Sequence, residues 1–171
     1  MSNQKCTGTN LKTLMDTLSN KDGMIRQKAR ESLVALGKPA VSSLIQALQN
    51  SMLDQVRWEA AKGLGAIGDT KSIPPMVQAL EDSDPDVAWL AAEALSNFEK
   101  TAWSPLLRVL IKDGSDSVLL RQGVRHVLLN QKEDGFNDLL ATQMKALEPG
   151  AVSESATVAA YEILKGRKVK S

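Results

Sequence analysis

The residues of this chain best suited to recognition are two tryptophans, and each has a charged residue four positions after it. Trp58 is followed by Lys62, and Trp89 is followed by Glu93. Side chains four apart in a helix lie on the same side of it, so each tryptophan would share its face with a charge. Tryptophan is one of the residue types that most often anchor protein interfaces. This pattern predicts the binding of a partner.

The chain lacks the residues from which metal and nucleophilic sites are usually built. His126 is its one histidine and Cys6 its one cysteine, so no zinc-type set of His and Cys ligands can form. No glycine-rich phosphate loop follows a predicted strand. We therefore expect no metal, no cofactor and no enzyme activity, and we place His126 at the edge of the core.

Composition and charge favour a cytoplasmic protein that binds neither nucleic acid nor membranes. The formal net charge is +1, which gives no overall field to attract phosphates. No apolar run approaches the roughly 18 residues that a membrane helix requires, and the first residues lack the apolar core of a secretory signal. A single cysteine fits a reducing compartment. The basic cluster at 165–170 is expected to be solvated.

The elements that position the tryptophans follow from an internal repeat with a period of 31 residues. Ile25, Val56 and Val87 begin corresponding segments, in which apolar residues recur four, eight and eleven positions later. Such spacing places them on one face of a helix. The later columns are Ala29, Ala60 and Ala91; Leu33, Leu64 and Leu95; Leu36, Ile67 and Phe98. A fixed period of this length is typical of a stacked repeat fold.

A second helical pattern precedes each of these segments, so every unit is predicted to be a pair of helices. Its apolar positions Ala40, Val41, Leu44 and Leu48 recur as Ala102, Trp103, Leu106 and Leu110. Trp103 is therefore expected in the core, unlike the other two tryptophans. Capping residues support the boundaries: Asp84 before Pro85 is a predicted N-cap, and Gly37 and Gly68 are predicted C-caps.

Five helix pairs are predicted in all. Their bounds are 9–37, 38–68, 69–98, 99–130 and 132–165. They are expected to form a single domain at 9–165, between a flexible tail at 1–8 and a basic tail at 166–171. The last pair is degenerate, as expected for a unit that closes the end of a stack.

The segment VRWEAAKGLGAIGD at 56–69 and its in-register copies resemble the HEAT-repeat family, in the short bacterial and archaeal type also found in phycobilisome lyase subunits. The resemblance covers residues 11 to about 130 well. It implies an all-α fold, a right-handed α-solenoid superhelix of about five HEAT-like helix pairs. It also implies that the second helices of the pairs line the concave surface.

The same resemblance implies a ladder of ion pairs between units. In the family, an arginine early in the second helix meets an aspartate in the turn. Arg26 and Arg57 match the arginine, and Asp82 and Asp113 match the aspartate. Because Ala88, Asn20 and Asn50 depart from these types, the ladder is expected to be incomplete.

The tryptophan column is predicted to point away from the core. At 100° per residue, the position two residues after the anchor falls almost opposite the buried stripe. In the fourth unit we shift the register by one residue, which puts Leu119, Gly123 and Val127 in the core. Arg121 and Arg125 then join the exposed line, since burying an unpaired arginine is costly.

These residues together form a predicted binding line on the concave face. Its members are Trp58, Lys62, Trp89, Glu93, Arg121 and Arg125. We expect this line to bind a protein or peptide segment that carries an apolar anchor and acidic residues. Alternatively, the tryptophans pack on a neighbouring unit beneath a cation such as Lys62.

Two other functions stay open beside this non-catalytic interaction module. One is an enzyme or enzyme subunit, either bilin-lyase-like or DNA-glycosylase-like. HEAT-like DNA glycosylases present tryptophans and a carboxylate on a concave face, and Trp89 with Glu93 is similar to that arrangement. The other is nucleic-acid binding without catalysis, through Arg121, Arg125 and the basic tail. The near-neutral net charge weighs against nucleic acid, both as the substrate of a glycosylase-like enzyme and as a binding partner.

Overall fold

A computed structural model of the chain describes residues 3–113, 116–129 and 131–170. Within these ranges, the side chains of 3–9, 113, 153 and 168–170 are not described. Cys6, the Asp113 side chain predicted for the ladder, and much of the two predicted tails therefore lie outside the described side chains.

The described residues form ten α-helices in five consecutive pairs. The helices are α1 (Asn3–Thr17), α2 (Gly23–Leu36), α3 (Lys38–Asn50), α4 (Asp54–Ile67), α5 (Ile73–Ala79), α6 (Pro85–Asn97), α7 (Lys100–Asp113), α8 (Val118–Leu128), α9 (Asn137–Ala146) and α10 (Ser153–Lys170). A single 3₁₀ turn at Thr70–Ser72 leads into α5. The predicted all-α fold of helix pairs is confirmed, and no strand occurs in the described ranges.

The chain divides into two compact units, Met1–Ala94 and Leu95–Ser171, here called unit 1 and unit 2. α1 and α10 extend beyond the predicted domain limits at 9 and 165. The predicted division into one domain and two tails stays a prediction. Among the described residues, no helix is long and apolar enough to cross a membrane.

The core of unit 1 follows the predicted columns. Leu33, Leu44 and Leu64 are fully buried. Ala60 of α4 and Ala91 of α6, which share one repeat column, are also fully buried. Small residues let the helices approach closely: a Cβ added at Gly65 of α4 would lie 2.9 Å from the Cβ of Ala94 on α6. Unit 1 is thus held by leucines that fill the layers and by small residues that set the helix spacing.

Most of the predicted caps are confirmed in unit 1. The Oδ1 atom of Asp84 accepts hydrogen bonds from the backbone N–H groups of Asp86 and Val87, at 3.0 and 3.1 Å. Gly68 ends α4 in the left-handed conformation, with φ 68° and ψ 23°. Gly37 also has a positive φ of 69°, although its ψ of −134° lies outside the left-handed helical region. Each cap supplies partners for backbone groups that the helix end leaves unpaired.

In unit 2, α10 packs on both α7 and α9. Trp103 of α7 is completely buried, which confirms its predicted place in the core. The guanidinium carbon of Arg167 on α10 lies 5.1 Å from the centre of its ring. Arg167 also pairs with Glu133 at 2.7 Å. Unit 2 is therefore closed by a long helix whose arginine covers the buried indole.

The predicted register of α8 is wrong. Leu119 is 48% exposed and Gly123 is half-buried, whereas Leu120 and Val124 are fully buried. Leu120 and Val124 follow Val87 and Ala91 by 33 residues, so the loop before α8 holds two extra residues and not one. Val127 is buried as predicted.

Two further core predictions fail at helix starts. Ile25 is 42% exposed although its counterparts Val56 and Val87 are buried. It lies in the first turn of α2, which is the second helix of the first pair. Val152, an apolar position expected in the second helix of the last pair, is also exposed, because α10 begins one residue after it.

Candidate functional site

The surroundings of Trp58 on α4 combine an aromatic ring with two cations. The side chain is half-buried. The Lys62 ammonium nitrogen, one turn later on the same helix, lies 4.6 Å from the ring centre. The guanidinium carbon of Arg30 on α2 lies 5.7 Å from it. Both distances are within the range of cation–π attraction, so the packing alternative describes part of the environment of Trp58.

A buried carboxylate next to Trp58 ties α2 to α4. Glu59 is 2% exposed and forms an ion pair with Arg30. The Arg26 Nε atom lies 3.4 Å from its other oxygen. A buried charge is tolerated only when it is paired, and here two arginines pair with one glutamate. Sequence reasoning missed this cluster, because no repeat column predicts a glutamate at that position.

Arg57 forms the predicted rung of the ladder. Its Nε and Nη2 atoms donate to the two carboxylate oxygens of Asp82, at 2.8 and 2.9 Å. Nη2 also donates to Asp54 at 2.7 Å, and Nη1 donates to the Ser51 carbonyl at 3.0 Å. The hydrogen bond with Asp82 raises the pKa of Arg57 above its already high ordinary value. The guanidinium therefore stays charged and joins three segments of unit 1.

Arg26 keeps the backbone contact of a ladder arginine but has no aspartate rung. Its Nη1 atom donates to the carbonyls of Asn20 and Lys21, at 2.9 and 3.2 Å. This contact corresponds to the bond of Arg57 with the Ser51 carbonyl. The carboxylate that would correspond to Asp82 is absent, because the following turn carries Asn50.

Trp89 on α6 has a more open environment than Trp58. Its side chain is 54% exposed, and Glu93 one turn later is also exposed. At the position corresponding to Arg57, α6 carries Ala88, so this helix has no ladder arginine. With more than half of its side chain exposed, Trp89 presents a large apolar surface to solvent.

The two arginines of the predicted binding line differ in unit 2. Arg125 is exposed, as predicted. Arg121 is half-buried, and its Nη2 atom donates to the carbonyls of Ala146 and Ala151, at 3.0 and 3.2 Å. Arg121 is less exposed than predicted, because these backbone carbonyls accept part of its hydrogen bonds. His126 is half-buried, which fits the edge of the core.

The structure thus brings some members of the binding line together within one unit. Trp58 and Lys62 are in contact on α4, and Trp89 and Glu93 are both exposed on α6 of the same unit. In the described part of the chain, no group of three or more His, Cys, Asp or Glu residues is arranged to hold a metal ion.

A small cavity next to Trp58 adds residues that the predicted line omitted. It measures about 280 Å³ and lies in unit 1. Its lining residues are Arg26, Asp54, Gln55, Trp58, Asp84 and Asp86. Of its three aspartates, only Asp84 was predicted from the sequence, as an N-cap. The position of all three beside an indole depends on how the starts of α4 and α6 pack together.

Comparison with protein families decides the identity of the repeat. A family model described as HEAT repeats matches residues 41–126, about half of the chain. The chain belongs to the HEAT-repeat family. This confirms the resemblance carried by the segment at 56–69. The matched region includes every member of the predicted binding line, although family membership alone assigns none of them a function.

A solved structure has a similar fold. It is a chain of the complex of CpcE and CpcF of phycocyanin lyase from Nostoc sp. PCC7120, with a TM-score of 0.60 and 21% sequence identity. The match covers 88% of this chain and 98% of that chain. No curated protein sequence matches the chain significantly. At this level of identity the similarity shows a shared HEAT-type α-solenoid fold.

Proposed function

We propose that this HEAT-repeat protein is a non-catalytic interaction module that binds a segment of another protein through the exposed face of its second helices. The observation that carries the proposal is Trp89, a large aromatic side chain that is 54% exposed. Exposing an indole is unfavourable in water, and tryptophan is among the residues that most often dominate binding energy at interfaces. An apolar side chain of the partner would cover it.

The other members of the predicted line in unit 1 contribute around this anchor, and those in unit 2 are considered by themselves. Glu93 lies one turn beyond Trp89, and Lys62 lies above the ring of Trp58 on the preceding second helix. Arg125 is exposed and would attract acidic residues of the partner. Arg121 contributes less to the proposal, because it already donates to backbone carbonyls.

The structural neighbour supports a protein partner in particular. That neighbour was solved as a complex of two proteins, CpcE and CpcF. A chain of the same fold therefore assembles with a second protein. The neighbour also belongs to a phycocyanin lyase, so incubation of this protein with a bilin is the direct test of the enzyme alternative.

Photo-crosslinking tests the proposal. We would replace Trp89 by the photoreactive residue p-benzoylphenylalanine in the producing cells, irradiate them, and identify adducts by mass spectrometry. Tyr161 of α10 is a matched control, since it is an aromatic residue of similar exposure, 58%, in the other unit. We expect a protein adduct from position 89 and none of the same identity from position 161. The same adduct from both positions, or none from position 89, would contradict the proposal.

A further inference from the structure

Three turns of unit 1 lie side by side and form a continuous edge. The Gln55 side chain at the start of α4 donates to the Ser19 carbonyl in the turn before α2, at 3.4 Å. Arg57 on the same helix bonds Asp82 in the turn before α6. We call this surface, made of residues 19–25, 51–55 and 82–86, the turn edge.

The turn edge exposes large apolar side chains. Met52 is 92% exposed, and Met24, Ile25 and Leu53 are exposed by between 42% and 61%. A single exposed apolar residue is ordinary on a protein surface, but a group at neighbouring helix starts is typical of an interaction site. Methionine adapts its shape easily to varied partners.

The carboxylates of the turn edge give it a negative charge. Asp84 and Asp86 line the cavity beside Trp58, together with Asp54. Within the described chain, no ion pair joins Asp84 or Asp86 to a cation. Arg26, also at the cavity, already bonds two carbonyls and approaches Glu59. Lys62 and Arg30 already lie over the Trp58 ring, and Asp54 is paired with Arg57. The carboxylates of Asp84 and Asp86 are therefore the groups that make the mouth of the cavity complementary to a positive side chain.

The turn edge continues into the tryptophan column. Asp86 precedes Trp89 by three residues and Asp54 precedes Trp58 by four, and such neighbours share one side of a helix. A segment lying over Trp89 would therefore reach the turn edge without crossing another helix.

We infer that the turn edge docks the part of the partner segment that carries a lysine or arginine beside apolar residues, with the cation in the Trp58 cavity. This inference rests on the proposed function and adds the chemistry of the partner. The apolar residues cover Met24, Met52 and their neighbours, and the cation pairs with Asp84 and Asp86 beside the indole of Trp58. The partner is thus basic at this edge, whereas acidic residues were predicted from the arginines of unit 2.

Two short peptides test the inference on the full chain. One is acetyl-Leu-Lys-Leu-Lys-Leu-amide, and the other has glutamate in place of both lysines. Binding is followed by the indole N–H signal of Trp58 in ¹H–¹⁵N spectra. We expect the lysine peptide to bind, the glutamate peptide to bind at least tenfold more weakly, and added salt to reduce the difference by screening. Equal binding of the two peptides would overturn the inference.

A pair of charge-matched variants locates the effect. Asp84→Asn/Asp86→Asn removes two charges and keeps the helix cap, because asparagine caps as well as aspartate. We expect this variant to bind the lysine peptide about tenfold more weakly, because it loses two ion pairs of the strength usual at a protein surface. Asp138→Asn/Glu154→Gln removes two carboxylates from the first turns of α9 and α10 in unit 2, and we expect it to bind like wild type. Equal weakening in both variants would overturn the inference.

Two further results separate this inference from the proposed function. If a Trp89 adduct forms but the lysine peptide shows no preference over the glutamate peptide, the turn-edge inference fails and the interaction module stands. If light scattering shows a dimer that Asp84→Asn/Asp86→Asn abolishes, a second copy of the chain occupies the edge and the inference is wrong.

Discussion

Two second helices of unit 1, α4 and α6, carry tryptophan at the same repeat position but surround it differently. On α4, Arg57 is bound to Asp82, and Trp58 lies beneath Lys62 and near Arg30. On α6, alanine replaces the ladder arginine and Trp89 is 54% exposed. The difference shows that one repeat position can hold either a half-buried or a largely exposed tryptophan, so the position alone does not determine how much of the side chain is available to a partner.

The contrast separates residues that hold the stack from residues that face solvent. Arg57 and Glu59 are almost fully buried in ion pairs. Trp89 and Glu93 are exposed. Changes at the first group should alter the free energy of unfolding, and changes at the second should alter binding.

The largest expected effect is on Arg57. Arg57→Ala should lower the free energy of unfolding by about 3 kcal/mol, because it leaves the nearly buried Asp82 carboxylate without its cation. Urea denaturation followed by circular dichroism measures the loss. Arg57→Lys keeps the charge but cannot bond both oxygens in the same fork geometry. Its free energy of unfolding should therefore lie between those of the wild type and Arg57→Ala. A loss below about 0.5 kcal/mol in Arg57→Ala would show that the rung does not hold α4 to the next turn.

A smaller effect is expected where α4 meets α6. Gly65→Ala should lower the free energy of unfolding by about 1 kcal/mol, since its Cβ would lie 2.9 Å from that of Ala94 and the overpacking exceeds the gain in helix propensity. Gly63→Ala is the matched control on the same helix. Its Cβ would meet the flexible end of Leu44 at 3.4 Å, so its stability should be unchanged or slightly higher. The same loss from both substitutions in urea denaturation would contradict close packing at Gly65.

The smallest expected effect is at Trp89, and it is compared with a larger effect at Trp58. Trp58→Ala should cost about 1–2 kcal/mol, from its buried half and its cation contacts. Trp89→Ala should stay within about 0.5 kcal/mol of wild type, as surface substitutions usually do. Thermal and urea unfolding measure both. A larger loss from Trp89→Ala than from Trp58→Ala would reverse the comparison.

Much of the fold could be predicted because the repeat supplies several copies of each signal. The apolar columns, the pairing of the helices and the core position of Trp103 all follow from periodicity in the sequence. The register of α8 could not be obtained this way, since periodicity does not count insertions in a loop. A strict repeat would bury Arg125, and a shift by one residue avoids this. A shift by two residues also leaves Arg125 exposed and in addition buries Leu120 and Val124, which is the register observed.

The candidate site was predicted less completely for a related reason. Helical periodicity identified the face on which Trp58 and Trp89 lie, but exposure depends on residues from other helices. Arg30 reaches Trp58 from α2, and Asp84 and Asp86 reach the cavity from the turn before α6 and its first residues. No spacing within one helix predicts such contacts.

The central claim is that Trp89 is the contact residue of the interaction module. The most direct measurement records the indole N–H signals of the three tryptophans in ¹H–¹⁵N spectra, before and after addition of the partner identified by crosslinking. If Trp89 is the contact residue, its signal shifts or broadens strongly, while the signal of the fully buried Trp103 stays in place. An unchanged Trp89 signal in a complex that has formed would contradict this claim.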